Sequence, residues 1–404
     1  MTRSLRAPAT GTVEALGRLG STSINFAAVL IGLILVAWRL DGPAEVATLN
    51  LWSAWGIFLA LFGQIGLVAG VLDGKSGLST KVLTHAIIAG LAAAGVSLVL
   101  RNRLFPEHSS WWVAFGAIAA LTYVTGRQRA GLTRRGRGGT AMAIAAAENV
   151  LRAVLLAITV FSGRTELAAL AIVAPFFFSI TALARTSRRN EPVSVLGGRT
   201  SSTALSVGIL ASVPAVLAYA IIPALSGLGR VDNLDVIAVA VTLLRGPLVI
   251  AMFASPWLLE RLGTESSPPR TAVLVSVGVL FALHLLALSI LGQDGLGSII
   301  THAVLSAPAI AVAYVFVLAQ SRSMETLRIP VLATVASTLT FAGALVWLTA
   351  GSGAGAFVAL TAACGVLVAA SGTATPGPAD AGTPSSQSNG DASDSNPNDS
   401  AVAA

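Results

Sequence analysis

Charge is what this sequence has least of. Asp, Glu, Lys and Arg make up 11% of the 404 residues, against about 25% in a soluble domain. A surface so poor in ionised groups cannot stay dissolved in water. That excludes an ordinary soluble enzyme or binding module and leaves the bilayer as solvent. Lysine is nearly missing, with Lys75 and Lys81 the only two among 25 basic residues. Cysteine is limited to Cys364, inside an apolar run, so no disulfide framework or cysteine metal site is available. A Walker A loop, metal-ligand spacing, a nucleophile elbow and any outer loop long enough for a soluble catalytic lobe are also absent. An ATPase is thereby excluded, and no enzyme is expected. The net charge of +7 does not signal nucleic acid, because the basic residues form short runs between apolar stretches rather than one patch.

What the sequence does have is apolar length. Strongly apolar residues make up 54% of the chain, and the mean hydropathy is +0.80. A membrane-spanning helix needs about 20 such residues. Stretches of that kind lie at 22–40, 47–71, 82–100, 110–126, 140–162 and 166–184, and again at 203–226, 234–257, 271–291, 297–319, 328–349 and 352–371. The first is followed at once by more of the same, so it reads as a spanning helix rather than a cleaved signal peptide. Alternate connections are unequal in basic residues. The N-terminal side holds eighteen, from Arg3 through the run Arg127–Arg137 to Arg328, whereas the other side holds only Arg39, Arg101, Arg103, Arg164 and Arg230. Positive charge marks the cytoplasmic side, so both termini are expected there. Trp38 and the Trp111–Trp112 pair fall at outer boundaries, as interfacial aromatics do.

The polar stretch at 185–202 divides the chain into a six-helix bundle at 22–184 and another at 203–371. Residues 1–21 form a cytoplasmic N-terminal segment. Residues 372–404, rich in Ser, Gly, Pro, Asp and Asn and without Lys or Arg, are expected to be disordered. The fold class is thus an all-α integral membrane protein of about twelve transmembrane helices. Two halves around a central cavity form a common transporter architecture.

Ionisable residues inside spans are the candidate site. Arg152 lies mid-span, one helical turn after Glu148 and beside Asn149. A central arginine costs about 3 kcal/mol to insert, so it faces a bundle interior or a wet cavity. It either pairs with Glu148 within the helix or lines a cavity as a cation. Arg245 has no acid within a turn, and Gly246-Pro247 beside it loosens the helix. It reads as an anion site or as the partner of a carboxylate on another helix. His284 and His302 could relay protons or simply hydrogen-bond a neighbouring helix. Asn25, Asn50, Gln64 and Asn149 could bind sugar hydroxyls or join helices. The run Arg127–Arg137 is a topology signal or a site for anionic lipid head groups.

Several short motifs carry a resemblance. They are Leu40-Asp-Gly-Pro-Ala-Glu-Val, Leu51-Trp-Ser-Ala-Trp-Gly-Ile-Phe, Gly63-Gln-Ile-Gly, the Glu148-x-x-x-Arg152 span ending at Ser162-Gly163, and Pro247 to Leu262 with Pro256 near its end. Together they resemble the bacterial oligosaccharide (lipid-linked sugar) flippases of the multidrug/oligosaccharidyl-lipid/polysaccharide exporter superfamily. Asp41 and Val46-Ala47 depart from that family's pattern. The resemblance implies a multi-pass transporter of the bacterial cytoplasmic membrane. It would move a polyprenyl-pyrophosphate-linked glycan by alternating access for cell-surface polysaccharide synthesis, alongside membrane lipids and polysaccharide-assembly proteins. No cofactor is implied, and a proton or sodium gradient is the candidate driving force. Arg152 is the implied cavity cation.

Other readings compete. A drug/cation antiporter of the same superfamily would call for buried carboxylates, and Glu148 is the only clear mid-span acid, which argues against it. A major-facilitator transporter lacks its loop motif, since Asp73-Gly-Lys-Ser-Gly does not match. A membrane-embedded glycosyltransferase or polysaccharide polymerase would need Asp41, Glu45, Asp232 or Asp235 as catalytic acids in outer loops. A scaffold that kept the fold and lost transport is a further reading.

Overall fold

The computed structural model describes residues 61–74, 79–104, 111–162, 168–187, 200–227, 234–261, 269–292, 295–321, 323–324, 326–348 and 353–372. Every regular element among them is an α-helix. In chain order these are α1 (Leu61–Asp73), α2 (Thr80–Leu104), α3 (Trp111–Arg134), α4 (Gly138–Phe161), α5 (Ala168–Ser187) and α6 (Ser201–Gly227). They continue with α7 (Leu234–Arg261), α8 (Arg270–Leu291), α9 (Leu296–Gln320), α10 (Arg328–Leu348) and α11 (Ala354–Ser371). Helices α2 to α11 fall on the expected spans from 82–100 onward, and α1 is the end of the span at 47–71. The span at 22–40, the N-terminal segment, Asn25, Asn50, most of the 185–202 connection and the tail from 373 lie outside the described residues. So do Asp41, Glu45 and Asp232.

Seven of the helices are long and apolar enough to cross a membrane. Their outer faces show why bilayer is the right solvent. Leu91 and Val99 of α2, Ile290 of α8 and Leu339 of α10 are each more than 60% exposed, a pattern that lipid accepts and water does not. Helix α8 is the extreme case, burying only Val273, Val277, His284 and Ala287. A histidine on the single inward stripe of a lipid-facing helix is therefore placed to meet a neighbour.

Helix and apolar run do not coincide at every end. Helix α3 continues past the expected 126 to Arg134, carrying Arg127 and Arg129 on its last turns. Hydropathy marks where lipid stops, while arginine is a good helix former and lets the backbone ladder run on into the head-group zone. Gly136, with φ of 69°, then ends it. Its N–H reaches the Thr133 carbonyl and the Arg137 N–H reaches Leu132. This is a Schellman cap, in which the left-handed residue favours glycine. Helix α4 starts two residues later.

Neighbours in sequence pack as neighbours in space, α2 on α3, α4 on α5, α8 on α9 and α10 on α11. The first and second halves meet through α3 and α4 against α7, and through α1 against α6. Glycines allow the closest approaches. A Cβ on Gly126 of α3 would lie 2.0 Å from the Gly63 carbonyl of α1, and one on Gly208 of α6 would lie 2.8 Å from the Ile65 carbonyl. The largest buried apolar cluster runs from Leu67 and Val68 of α1 through Val207 and Leu210 of α6 to α7, α9 and α11. Gly126 directly precedes Arg127, so its approach lies towards the arginine-rich side.

Candidate functional site

Glu148, Asn149 and Arg152 share one face of α4, as i and i+4 spacing requires. Arg152 Nη2 donates to Glu148 Oε1 at 2.6 Å, and another Arg152 nitrogen donates to Asn149 Oδ1. The pair within the helix is thus formed, but it is only part of the arrangement. Arg129 of α3 donates to Glu148 Oε2 at 2.8 Å, and the Ser179 hydroxyl of α5 donates to the same oxygen. Phe176 of α5 lies beneath the Arg152 guanidinium, 4.8 Å from the ring centre. One carboxylate, 5% exposed, therefore meets two arginines that are 18% and 22% exposed. The node carries a net positive charge, and its cations are partly exposed. It ties α3, α4 and α5 together.

Arg245 is a different kind of cation. It sits mid-way along α7, only 7% exposed, above the ring of Tyr219 of α6 at 4.2 Å. Its Nε and Nη2 have no hydrogen-bond partner among the described residues, and neither has the Tyr219 hydroxyl. A buried guanidinium satisfied only by a ring face has unused donors, which is the chemistry of an anion-binding group. Pro247, inside the helix two residues on, removes a backbone donor from the same turn.

The remaining expected residues disperse. Gln64 of α1 is buried, with its Nε2 unpartnered among the described residues. His284 is fully buried between α8, α9 and α11, and touches His302 and Thr361. Arg152 and Arg245 stand on α4 and α7, two helices in contact, but with separate partners.

The basic run Arg127–Arg137, at the end of α3 and in the turn to α4, is turned largely inward. Arg127 Nη2 holds both oxygens of Asp73 at 3.1 and 2.8 Å. Arg134 donates to the Gly74 carbonyl, and Arg137 Nη1 to the Thr186 carbonyl at 3.4 Å. Burial lowers the Arg134 guanidinium from its ordinary value, and Asp73 opposes that shift. Arg129, Ser179 and Tyr219 were not among the site residues expected from the sequence. Arg129 lay hidden in a run that read as a topology signal.

No family sequence model matches the chain, and no curated protein does either. Solved structures do. A MATE transporter in complex with MaD5 superposes with a TM-score of 0.58 at 13% identity, covering 88% of this chain and 92% of that one. The fold is that of the MATE transporters. An outward-facing multidrug resistance MATE-family transporter of the MOP superfamily gives 0.55 at 14% identity, with the same coverage. A MOP superfamily transporter from Pyrococcus furiosus gives 0.52 at 14%, again over 88% and 92%. That protein is described as having a binding pocket of reversed polarity, suggesting a different function. Within the MATE fold, the Glu148 node belongs to the first half of the helix order, and the Arg245–Tyr219 pair to the second.

Proposed function

We propose that the chain is an alternating-access membrane transporter whose cargo carries negative charge, a lipid-linked oligosaccharide phosphate being the class that fits. The MATE-like fold supports transport in general. The observation that carries the anionic cargo is Arg245, whose two buried donors have no partner among the described residues. A pyrophosphate crossing hydrocarbon needs such donors, since a buried guanidinium binds phosphate through charge-assisted hydrogen bonds. The partly exposed Arg129 and Arg152 side chains, two cations against the single Glu148 carboxylate, add a second positive group.

A second reading is a drug/cation antiporter, and the names of the fold neighbours favour it over the lipid-linked sugar. It needs a carboxylate free to take a cation. Asp73 and Glu148, the acids whose side chains are described, are both held by arginine.

The two readings separate in liposomes containing the full chain. Leaflet exchange of a fluorescent polyprenyl-pyrophosphate sugar, lost in Arg245→Met while a cationic dye is not moved, supports the first. Efflux of the dye against a gradient without sugar-lipid exchange overturns it in favour of the second.

A further inference from the structure

The second half contains a polar network that cargo binding does not use. His284 on α8, His302 and Ser306 on α9, and Thr361 on α11 are all fully buried. His284 Nδ1 and His302 Nδ1 are 2.6 Å apart. Their ring centres are 4.9 Å apart and their planes differ by 6°. That separation is close to the nitrogen–nitrogen distance plus one ring radius at each end. The rings are therefore coplanar and edge to edge rather than face to face, the geometry of an in-plane hydrogen bond.

Two neutral imidazoles make this contact only when one donates and the other accepts. One set of roles satisfies the hydroxyls through a single carbonyl. The Ser306 hydroxyl donates to the Phe357 carbonyl at 3.0 Å, and the Thr361 hydroxyl donates to the same carbonyl at 3.1 Å. The two hydroxyls also stand 3.1 Å from each other, and each has a single hydrogen; with both hydrogens on the Phe357 carbonyl, both turn lone pairs towards His284 Nε2, at 3.2 and 3.0 Å. In that arrangement His284 carries its proton on Nε2 and accepts at Nδ1, while His302 donates from Nδ1. What remains is the bare lone pair of His302 Nε2, buried and without a hydrogen-bond partner among the described residues.

We propose that His302 Nε2 is a proton-binding site. One proton added there makes His302 an imidazolium that still donates from Nδ1 to His284, and no other bond changes. Transfer of the Nδ1 proton to His284 would pass the charge along the pair.

The surroundings supply no counter-charge. Helices α6, α8, α9, α10 and α11 contain no Asp or Glu. Asp235, Glu260 and Arg261 stand at the ends of α7. Among other titratable groups on the packed helices, Arg270 at the far end of α8 donates to the Ala369 and Gly372 carbonyls. Arg245 lies on Tyr219, and the Tyr314 hydroxyl of α9 meets Ser255 of α7. Arg328 opens α10, and Cys364 lies one turn along α11 from Thr361. An imidazolium sealed among apolar side chains is costly. Proton uptake therefore goes with water reaching Nε2, and so with loosening of α9 from α8 and α11. The site rests on the transport reading for its use, as a bias on the alternation, but not for its existence.

The test uses the full chain in lipid nanodiscs with 15N-labelled histidine, of which there are four. Ring-nitrogen shifts are followed from mildly alkaline to acidic conditions. The expected start is the Nδ1–H tautomer for His302 and the Nε2–H tautomer for His284. On acidification His302 gains a second N–H. His302→Gln removes this step, His284→Gln moves its midpoint, and His85→Gln leaves it in place. A His302 that stays neutral wherever the helical fold persists overturns the proposal, as does a midpoint indifferent to His284→Gln. If His302→Gln fails to fold, the wild-type titration decides alone. No cargo is present, so failure of the anionic-cargo reading leaves the result standing, and the reverse also holds.

Discussion

Arg245→Met distinguishes a cation kept for binding from one kept for packing, because the two predict opposite changes in stability. Two guanidinium nitrogens are buried without partners among the described residues. Each such group costs about 1–3 kcal/mol, so together they cost about 2–6 kcal/mol. The compensating ring contact with Tyr219 is worth about 2 kcal/mol when desolvated. Methionine is of comparable length, and its sulfur restores about 1 kcal/mol against the same ring. The substitution should therefore stabilise the folded protein by about 1–5 kcal/mol, as replacement of buried charges by apolar groups often does. Cargo movement should fall to background in the same variant. The measurements are reversible unfolding in mixed micelles, followed by circular dichroism, and leaflet exchange in liposomes. A loss of stability of about 1 kcal/mol or more would mean that Arg245 is a packing residue and would refute the reasoning. Stabilisation with unchanged exchange would refute the cargo role.

Glu148→Gln should destabilise more than Arg152→Gln, because the carboxylate bridges two arginines and a serine. The double variant should recover about 1–2 kcal/mol relative to the sum of the singles, and additive unfolding energies would dissolve the node. Gly126→Ala places a methyl 2.0 Å from the Gly63 carbonyl and should cost about 3 kcal/mol by overpacking. Gly278→Ala, with nothing within 4 Å, is the control; equal unfolding midpoints for the two would refute the close approach of α1 and α3. Asp73→Asn removes the charge facing Arg127, whose side chain is 4% exposed, and should cost about 3 kcal/mol. An unfolding midpoint within error of wild type would show that the ion pair contributes nothing.

Helix number and order along the described chain were legible before any coordinates, because each spanning helix must satisfy its own backbone hydrogen bonds and so needs its own apolar run. The bilayer requirement acts locally, on consecutive residues, and a linear pattern records it. Helix ends were less legible. The 110–126 run says where lipid begins and ends, not where the ladder stops, and only Gly136 terminates α3. The ion pair of Glu148 with Arg152 was also within reach, being a matter of i and i+4 spacing.

Partnerships between helices were not. Arg129 and Ser179 meet Glu148 from α3 and α5, Tyr219 lies against Arg245 from α6, and His302 lies in the plane of His284. Nothing in the spacing of these residues along the chain encodes the meetings, which depend on helix rotation and crossing. Those in turn depend on glycines such as Gly63, Gly126 and Gly208, where the missing Cβ sets how near two backbones come. The sequence by itself determined a membrane protein, its helix order and the presence of costly charges within its spans. Only the tertiary structure decided which charges are neutralised and which donors are left over. A buried group's fate depends on what faces it, and what faces it comes from a distant part of the chain.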